Sequence, residues 1–210
     1  MFETIKNAWK IADLKKKLLF TLFILVLYRV GTAIPVPYLD SNQLSLYMSA
    51  TSGSIFQYLN IITGNAFSQA TLFALGINPY ITASIVMQLL CIAIPYLENL
   101  SKEGEEGRKK LNTITRYVTL GLALIQAIGI TVMWNNAGGL SDTMYSGTIF
   151  ANKWVIGASI VIMLVAGSMF STWMGERITE IGVGNGISLL IFIGILSTAD
   201  LALVATIKNI

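Results

Sequence analysis

An all-α membrane protein with five transmembrane helices and a short extra helix on one side is the fold this sequence predicts, on three observations. Among 210 residues, hydrophobic types make up 54% and charged types only 12%, where a soluble domain carries about a quarter charged. The mean hydropathy is +0.68, and 14 basic plus 11 acidic residues are too few to coat a soluble core of this length. Those charges are also clumped, so long stretches carry none.

A membrane segment needs about 20 apolar residues to cover a hydrocarbon core of roughly 30 Å. Residues 1–17 read as a cytoplasmic amino-terminal segment, and the first span covers about 18–36, interrupted by Arg29. The second, about 72–97, is free of charge. The third covers about 117–134, the fourth about 154–175, and the fifth about 183–207, with Asp200 near its end. A lysine cluster before an apolar run also begins a signal peptide. Here, however, Ile34-Pro35-Val36-Pro37 follows with no small-residue cleavage site, so the first span is expected to be retained.

Basic residues accumulate on the cytoplasmic side of membrane proteins. Lys6, Lys10, Lys15, Lys16 and Lys17 precede the first span, and Lys102, Arg108, Lys109, Lys110 and Arg116 separate the second from the third. Arg177 lies between the fourth and fifth, while the alternate connections carry little beyond Lys153. The amino terminus is therefore expected in the cytoplasm.

Between the first two spans, residues 54–67 place Ile55, Phe56, Leu59 and Ile62 at helical spacing before the stop signal Thr63-Gly64-Asn65. This segment is too short to span and too apolar to float in water, which leaves a re-entrant helix or one resting on the outer leaflet. Gly76-Ile77-Asn78-Pro79 opens the second span. It is either a break of the kind that marks a transport pathway or an ordinary helix start.

Gly182-Val183-Gly184-Asn185-Gly186-Ile187 predicts a close-packed turn. A phosphate-binding loop is excluded by the missing G-x-x-x-x-G-K-[ST] pattern. The stretch from Ser101 to Lys110, the densest charge in the chain, reads as a hydrated loop that either docks a partner or only anchors topology.

Arg29 lies about twelve residues into its span, roughly 18 Å along a helix. At that depth it must reach the outer interface or pair with a carboxylate or free carbonyls. Gln88 and Gln126 are candidates for hydrogen bonds across a helix interface.

Composition also removes chemistries. With no histidine, hydrolases built on an imidazole base, His-ligated zinc and His-ligated haem are excluded. Cys91 is the only cysteine, so no internal disulfide forms and the redox compartment is not legible. A net charge of +3 does not argue for nucleic-acid binding. No catalytic residue, metal or cofactor is expected.

Four motifs in order carry a resemblance. They are Tyr28-Arg29-Val30-Gly31 with Ile34-Pro35-Val36-Pro37; Phe73-Ala74-Leu75-Gly76-Ile77-Asn78-Pro79-Tyr80; Lys102-Glu103-Gly104-Glu105-Glu106-Gly107-Arg108-Lys109-Lys110; and Trp173-Met174-Gly175-Glu176-Arg177-Ile178-Thr179-Glu180 leading to Gly184-Asn185-Gly186-Ile187-Ser188. From Ala12 to about Leu196 the chain resembles the amino-terminal half of the SecY family, channel subunits of the Sec protein translocase. That resemblance implies one half of an inverted-repeat, ten-helix channel.

By the same resemblance, Ile77, Ile81, Ile187 and Ile191 belong to an apolar pore ring. Ile55, Phe56, Leu59, Asn60, Ile62, Gly64 and Asn65 would form the plug beneath it, which favours the re-entrant reading. Gln88 and Gln126 would sit at a lateral gate, and Lys102, Glu103, Glu105, Glu106, Arg108, Lys109, Lys110 and Arg177 would dock a SecA-type motor ATPase.

Further implied partners are SecE-type and SecG-type small membrane subunits, the ribosome, and secretory and membrane protein chains as substrates. The implied location is the bacterial plasma membrane. Two departures from the family pattern are Ile181, where many relatives are basic, and Asn65, in place of the second glycine of the plug-end pair. Half of a secondary transporter is the rival reading, but it lacks a mid-span coupling carboxylate; a non-conducting membrane scaffold is the other.

Overall fold

The computed structural model describes residues 11–50, 55–140 and 152–208, the side chains of 47–50, 55–57 and 199–208 excepted. Ser54 and residues 1–10 of the amino-terminal segment lie outside the described residues, and so do the side chains of Ile55, Phe56 and Asp200. Eight helices occupy the described residues: α1 (Ala12–Thr32), α2 (Ser41–Ala50), α3 (Ile55–Ile62), α4 (Asn78–Ala93), α5 (Pro95–Lys102), α6 (Glu105–Asn136), α7 (Lys153–Ile181) and α8 (Gly186–Lys208). The only strand-like feature among them is an isolated antiparallel bridge between Pro35 and Thr71.

By length and composition two helices, α6 and α7, are able to cross a membrane, and α4 with α5 makes a third if that bent pair counts as one span. α1 begins at Ala12, so Lys15, Lys16 and Lys17 belong to the same helix as Arg29, and this charge interrupts its apolar length. The described apolar stretch of α8 is shorter, Gly186–Thr198.

The second apolar stretch departs from its expected form. Residues 72–77 are turns, and the helix starts only at Asn78, with Pro79 in its first turn, where a missing amide hydrogen is harmless. Gly76-Ile77-Asn78-Pro79 is therefore a helix start. The break comes instead at Ile94, which is extended (φ −113°, ψ 113°) ahead of Pro95. Proline disfavours helical geometry in the residue before it, and α4 and α5 meet at 102°.

The charged stretch from Ser101 to Lys110 is also not a loop. Ser101 and Lys102 end α5, Glu105 begins α6, and only Glu103 and Gly104 lie between them. Gly104 has φ +76°. A Cβ on Gly107 would fall 1.8 Å from the Leu100 carbonyl oxygen, so the two helices meet backbone to backbone. Arg177, expected in a connection, lies within α7.

Small residues set the packing. On α6, Thr115, Thr119, Ala123, Ala127 and Thr131 are buried at intervals of four, and α4 buries Pro79, Ala83 and Met87 the same way. Without a hydrophobic driving force between helices in lipid, such stripes let backbones approach and gain dispersion contacts. The buried threonine hydroxyls of α6 and α7 are satisfied within their own helices: Thr119 Oγ1 donates to the Thr115 carbonyl (2.7 Å), Thr131 Oγ1 to Ala127 (2.8 Å) and Thr172 Oγ1 to Ser168 (3.0 Å), whereas Ser168 Oγ is buried without a partner among the described residues. Meanwhile Ile92, Ile125 and Ile162 stand exposed on outward faces, as lipid contact requires.

α7 is the central post, in contact with α6, α8 and α1. One apolar cluster gathers Phe67, Leu75 and Trp134 with Ile156, Ile160 and Leu164 of α7. A second joins Ile24 and Tyr28 of α1 to Phe73, Ile77, Met174, Ile178 and Leu190. Between α6 and α7, Arg116 and Glu176 form a two-pronged ion pair, Nε to Oε1 at 3.1 Å and Nη2 to Oε2 at 2.6 Å.

Two measurements test this packing. A Cβ on Gly167 would fall 2.0 Å from the Leu72 carbonyl oxygen, whereas one on Gly157 of the same helix meets nothing within 4 Å. Gly167→Ala is expected to lose about 1–3 kcal/mol by overpacking and Gly157→Ala to gain about 0.5–1 kcal/mol of helix propensity, read as thermal stability in detergent. A double-mutant cycle with Arg116→Met and Glu176→Gln should yield a coupling of about 0.2–1 kcal/mol, since the arginine is half exposed; a null cycle would make the pair incidental.

Candidate functional site

The second cluster holds the residues the sequence singled out. Phe73 stacks on Tyr28 with ring centroids 5.4 Å apart, and its ring occupies the space a Cβ on Gly31 would take, 2.0 Å from Cε2. Tyr28-Arg29-Val30-Gly31 is thus the receptor for the stretch that begins at Phe73. Four residues on, after a turn at Gly76 (φ +54°), Ile77 enters the core at the start of α4 and is 4% exposed. Ile81 follows one turn later, partly buried against the same cluster.

α8 supplies the opposite wall. Asn185 caps it, its Oδ1 accepting from the amides of Ile187 (3.1 Å) and Ser188 (3.3 Å), which satisfies donors that a helix start leaves unpaired. Thr179 Oγ1 accepts from the Gly186 amide (2.9 Å) and Thr21 Oγ1 from the Val183 amide (3.1 Å), so α7 and α1 both hold the glycine-rich turn. A Cβ on Gly186 would lie 2.1 Å from the Gly175 carbonyl oxygen. The close-packed turn expected from the sequence is present, and this contact is its physical reason.

Ile77, Ile81 and Ile191 converge with Ile62 of α3 on a cavity of only about 10 Å³, also bordered by Tyr28, Thr63, Gly76 and Asn78. That volume holds one water molecule at most. Ile187 packs on the same cluster but does not border the cavity. Three of the four predicted ring residues are therefore brought to one point, together with a residue of the predicted plug, and the fourth stands one turn away.

α3 ends in a hairpin. Asn65 donates its amide to the Asn60 carbonyl (2.9 Å), Asn60 Nδ2 donates to Asn65 Oδ1 (3.0 Å), and the Ser68 amide donates to Asn60 Oδ1 (2.9 Å). Gly64 and Asn65 both take φ +67°, a left-handed pair that asparagine tolerates. A larger cavity of about 540 Å³ separates α3 from α4 and α6, bordered by Leu59, Phe67, Ile81, Thr82, Gln126 and Met133 among others.

The remaining residues are less gathered. Gln126 borders that larger cavity, whereas Gln88 is exposed on α4, and no hydrogen bond joins them. Lys102, Glu103, Glu105, Glu106, Arg108, Lys109 and Lys110 are all exposed around the α5–α6 corner, with Lys102 paired to Glu98 at 2.6 Å. Arg177 pairs with Glu180 at 2.8 Å and lies over the Trp173 ring. Arg29 finds no carboxylate: its Nη1 is buried without a hydrogen-bond partner among the described residues.

Sequence reasoning missed the cap at Asn185, although an asparagine directly before a helix is a readable signal. It also missed the Arg116–Glu176 pair, 60 positions apart, for which no local signal exists.

Residues 71–209 match the SecY family model. A protein translocase subunit SecY from Buchnera aphidicola subsp. Schizaphis graminum is 42% identical over 205 residues, covering 97% of this chain and 46% of that protein. Among solved structures, a protein conducting channel superposes with a TM-score of 0.57 at 25% identity, covering 88% of this chain and 37% of the other. Sec61 in the canine ribosome-channel complex from the endoplasmic reticulum gives the same values. The chain spans about half the length of the curated relative it matches. On a match that covers most of its length, and with an all-helical fold shared with the Sec61 channel, the chain belongs to the SecY family.

Proposed function

We propose that this chain supplies the amino-terminal half of the central subunit of a protein-conducting channel, one that moves secretory proteins across, and membrane proteins into, the bacterial plasma membrane. The observation that carries this reading is the convergence of Ile77, Ile81 and Ile191 with Ile62 on a nearly filled apolar point. Branched aliphatic side chains meeting there make a collar too dry for ions, yet deformable around a passing chain. In this reading α3 and its hairpin are the plug and Ile187 completes this half of the ring. α1, α4 with α5, α6, α7 and α8 are then the five spans, with the amino terminus in the cytoplasm.

α4 and α6 are one wall of a lateral gate, with Gln126 at the cavity between α3, α4 and α6 and Gln88 on the outward face. The α5–α6 corner and Arg177 present mixed charge to a SecA-type motor or a ribosome, and a ribosome is the partner in the canine Sec61 complex. SecE-type and SecG-type subunits would pack on the apolar outer faces. The chain performs no catalysis; energy comes from the motor, the ribosome or the proton-motive force.

Cysteines at Ile81 and Ile187, placed in a Cys91→Ser background, should crosslink to an arrested secretory chain when the complementary half is supplied. Protection of both sites while translocation proceeds would refute the ring. Reversal of Arg108, Lys109 and Lys110 to glutamate should weaken motor binding roughly tenfold or more at low salt and less at high salt. Unchanged binding at low salt would reduce the corner to a topology anchor.

A further inference from the structure

Arg29 is the one deep charge of α1, and its surroundings differ from what such a charge ordinarily has. Its Nη1 is buried with no acceptor among the described residues, and it lies 3.0 Å from the position a Cβ on Gly64 would occupy. That same position is 2.8 Å from Ser197 Oγ and 3.1 Å from the Gly194 carbonyl oxygen, both on α8. The contact is mutual, since a Cβ on Gly194 would fall 2.5 Å from the Ile62 carbonyl oxygen. The hairpin that ends α3 is therefore seated between Arg29 of α1 and a bare stretch of α8.

The seat has a sign. α3 ends at Ile62, and the carbonyl end of a helix carries partial negative charge that favours a nearby cation. The Leu59, Asn60 and Ile61 carbonyls are taken by Thr63, Asn65 and Gly64 amides. Arg29 thus faces the end of α3 as a charge, without a hydrogen bond of its own to the hairpin. A carboxylate in place of this weak partner would hold the guanidinium by paired hydrogen bonds. As built, the seated state is attractive but leaves a buried donor unsatisfied, a state that loses little when the hairpin departs.

We propose that Arg29 is a positioning residue: it seats the α3 hairpin against Gly194 of α8 by charge alone, and so sets how readily the hairpin leaves the isoleucine ring. This rests on the reading of α3 as a movable plug.

The test uses the whole chain in its native membrane, with Cys91→Ser and a single reporter Ile62→Cys that reacts with a charged, membrane-impermeant maleimide. Arg29→Met should raise the labelling rate about 3- to 30-fold, the population change matching loss of a partly buried cation at a helix end. Arg29→Gln, neutral but able to hydrogen-bond, should behave as methionine does and serves if the methionine variant does not accumulate. Arg29→Lys, which keeps the charge, should return the rate to within about threefold of the parent.

Gly194→Val should raise the rate whatever stands at position 29, because its added atoms collide with the Ile62 carbonyl. If Gly194→Val accelerates labelling while the neutral Arg29 variants stay within twofold of the parent, the hairpin moves but Arg29 does not hold it. Failure of lysine to rescue would make the role one of shape rather than charge and would equally overturn the proposal. If neither Gly194→Val nor an arrested secretory chain changes the rate, the plug reading itself falls, and the latch with it.

Discussion

Phe73 is the side chain on which the arrangement of the other helices depends, because it is 1% exposed and touches two helices that are distant in sequence. Its ring stacks on Tyr28 of α1, fills the space above Gly31, and meets Phe170 of α7 at 6.2 Å. Aromatic contacts of this kind add to the apolar burial they accompany. The consequence runs along the chain: with Phe73 held, the turn at Gly76 delivers Ile77 and then Ile81 to a set place. Loss of the Phe73 seat would let the start of α4 drift relative to α8, and the isoleucines would no longer meet.

The second constraint is the supply of backbone and hydroxyl partners where water is scarce. Threonines within α6 and α7 donate to their own helices, and Asn185 closes the open amides of α8. The turn before α8 is held by Thr21 from one helix and Thr179 from another. This is what allows a glycine-rich connection between two long helices to stay defined. The α3 hairpin follows the same logic, with Asn60 and Asn65 satisfying each other across its neck. Among the described residues the buried atoms left without a partner are Trp134 Nε1, Asn135 Oδ1, Ser168 Oγ and Arg29 Nη1, and of these only the Arg29 nitrogen belongs to a charged group, set beside the hairpin.

Much of this was legible beforehand, for identifiable reasons. Charge-free length announces helices able to live in lipid, so α6 and α7 stand near where apolar windows placed them, although both continue past the hydrophobic edge into polar residues. Helical continuation there follows from hydrogen bonding and propensity, which hydropathy does not sense. The left-handed Asn65 was readable because few other residues accept that geometry. The bend at Ile94 was not expected, because Pro79 and Pro95 look alike to a hydropathy window. Only their places distinguish them: Pro79 sits in a first turn, where no amide is needed, and Pro95 ends one helix and begins another.

By itself the sequence determined the class of molecule, the chemistry it lacks, the glycine and isoleucine motifs, and where charge can stand. These are local properties, set by transfer energies and backbone preferences of neighbouring residues. Only the tertiary structure decided that Ile62, Ile77, Ile81 and Ile191 share one nearly filled space, that Gln88 and Gln126 stay apart, and that Arg116 answers Glu176. It also decided that Arg29 lies against the end of α3, with no carboxylate paired to it among the described residues. Each of these depends on how closely helices approach at a bare glycine or a small-residue stripe, and that distance is a property of pairs of helices, which no single stretch of sequence contains.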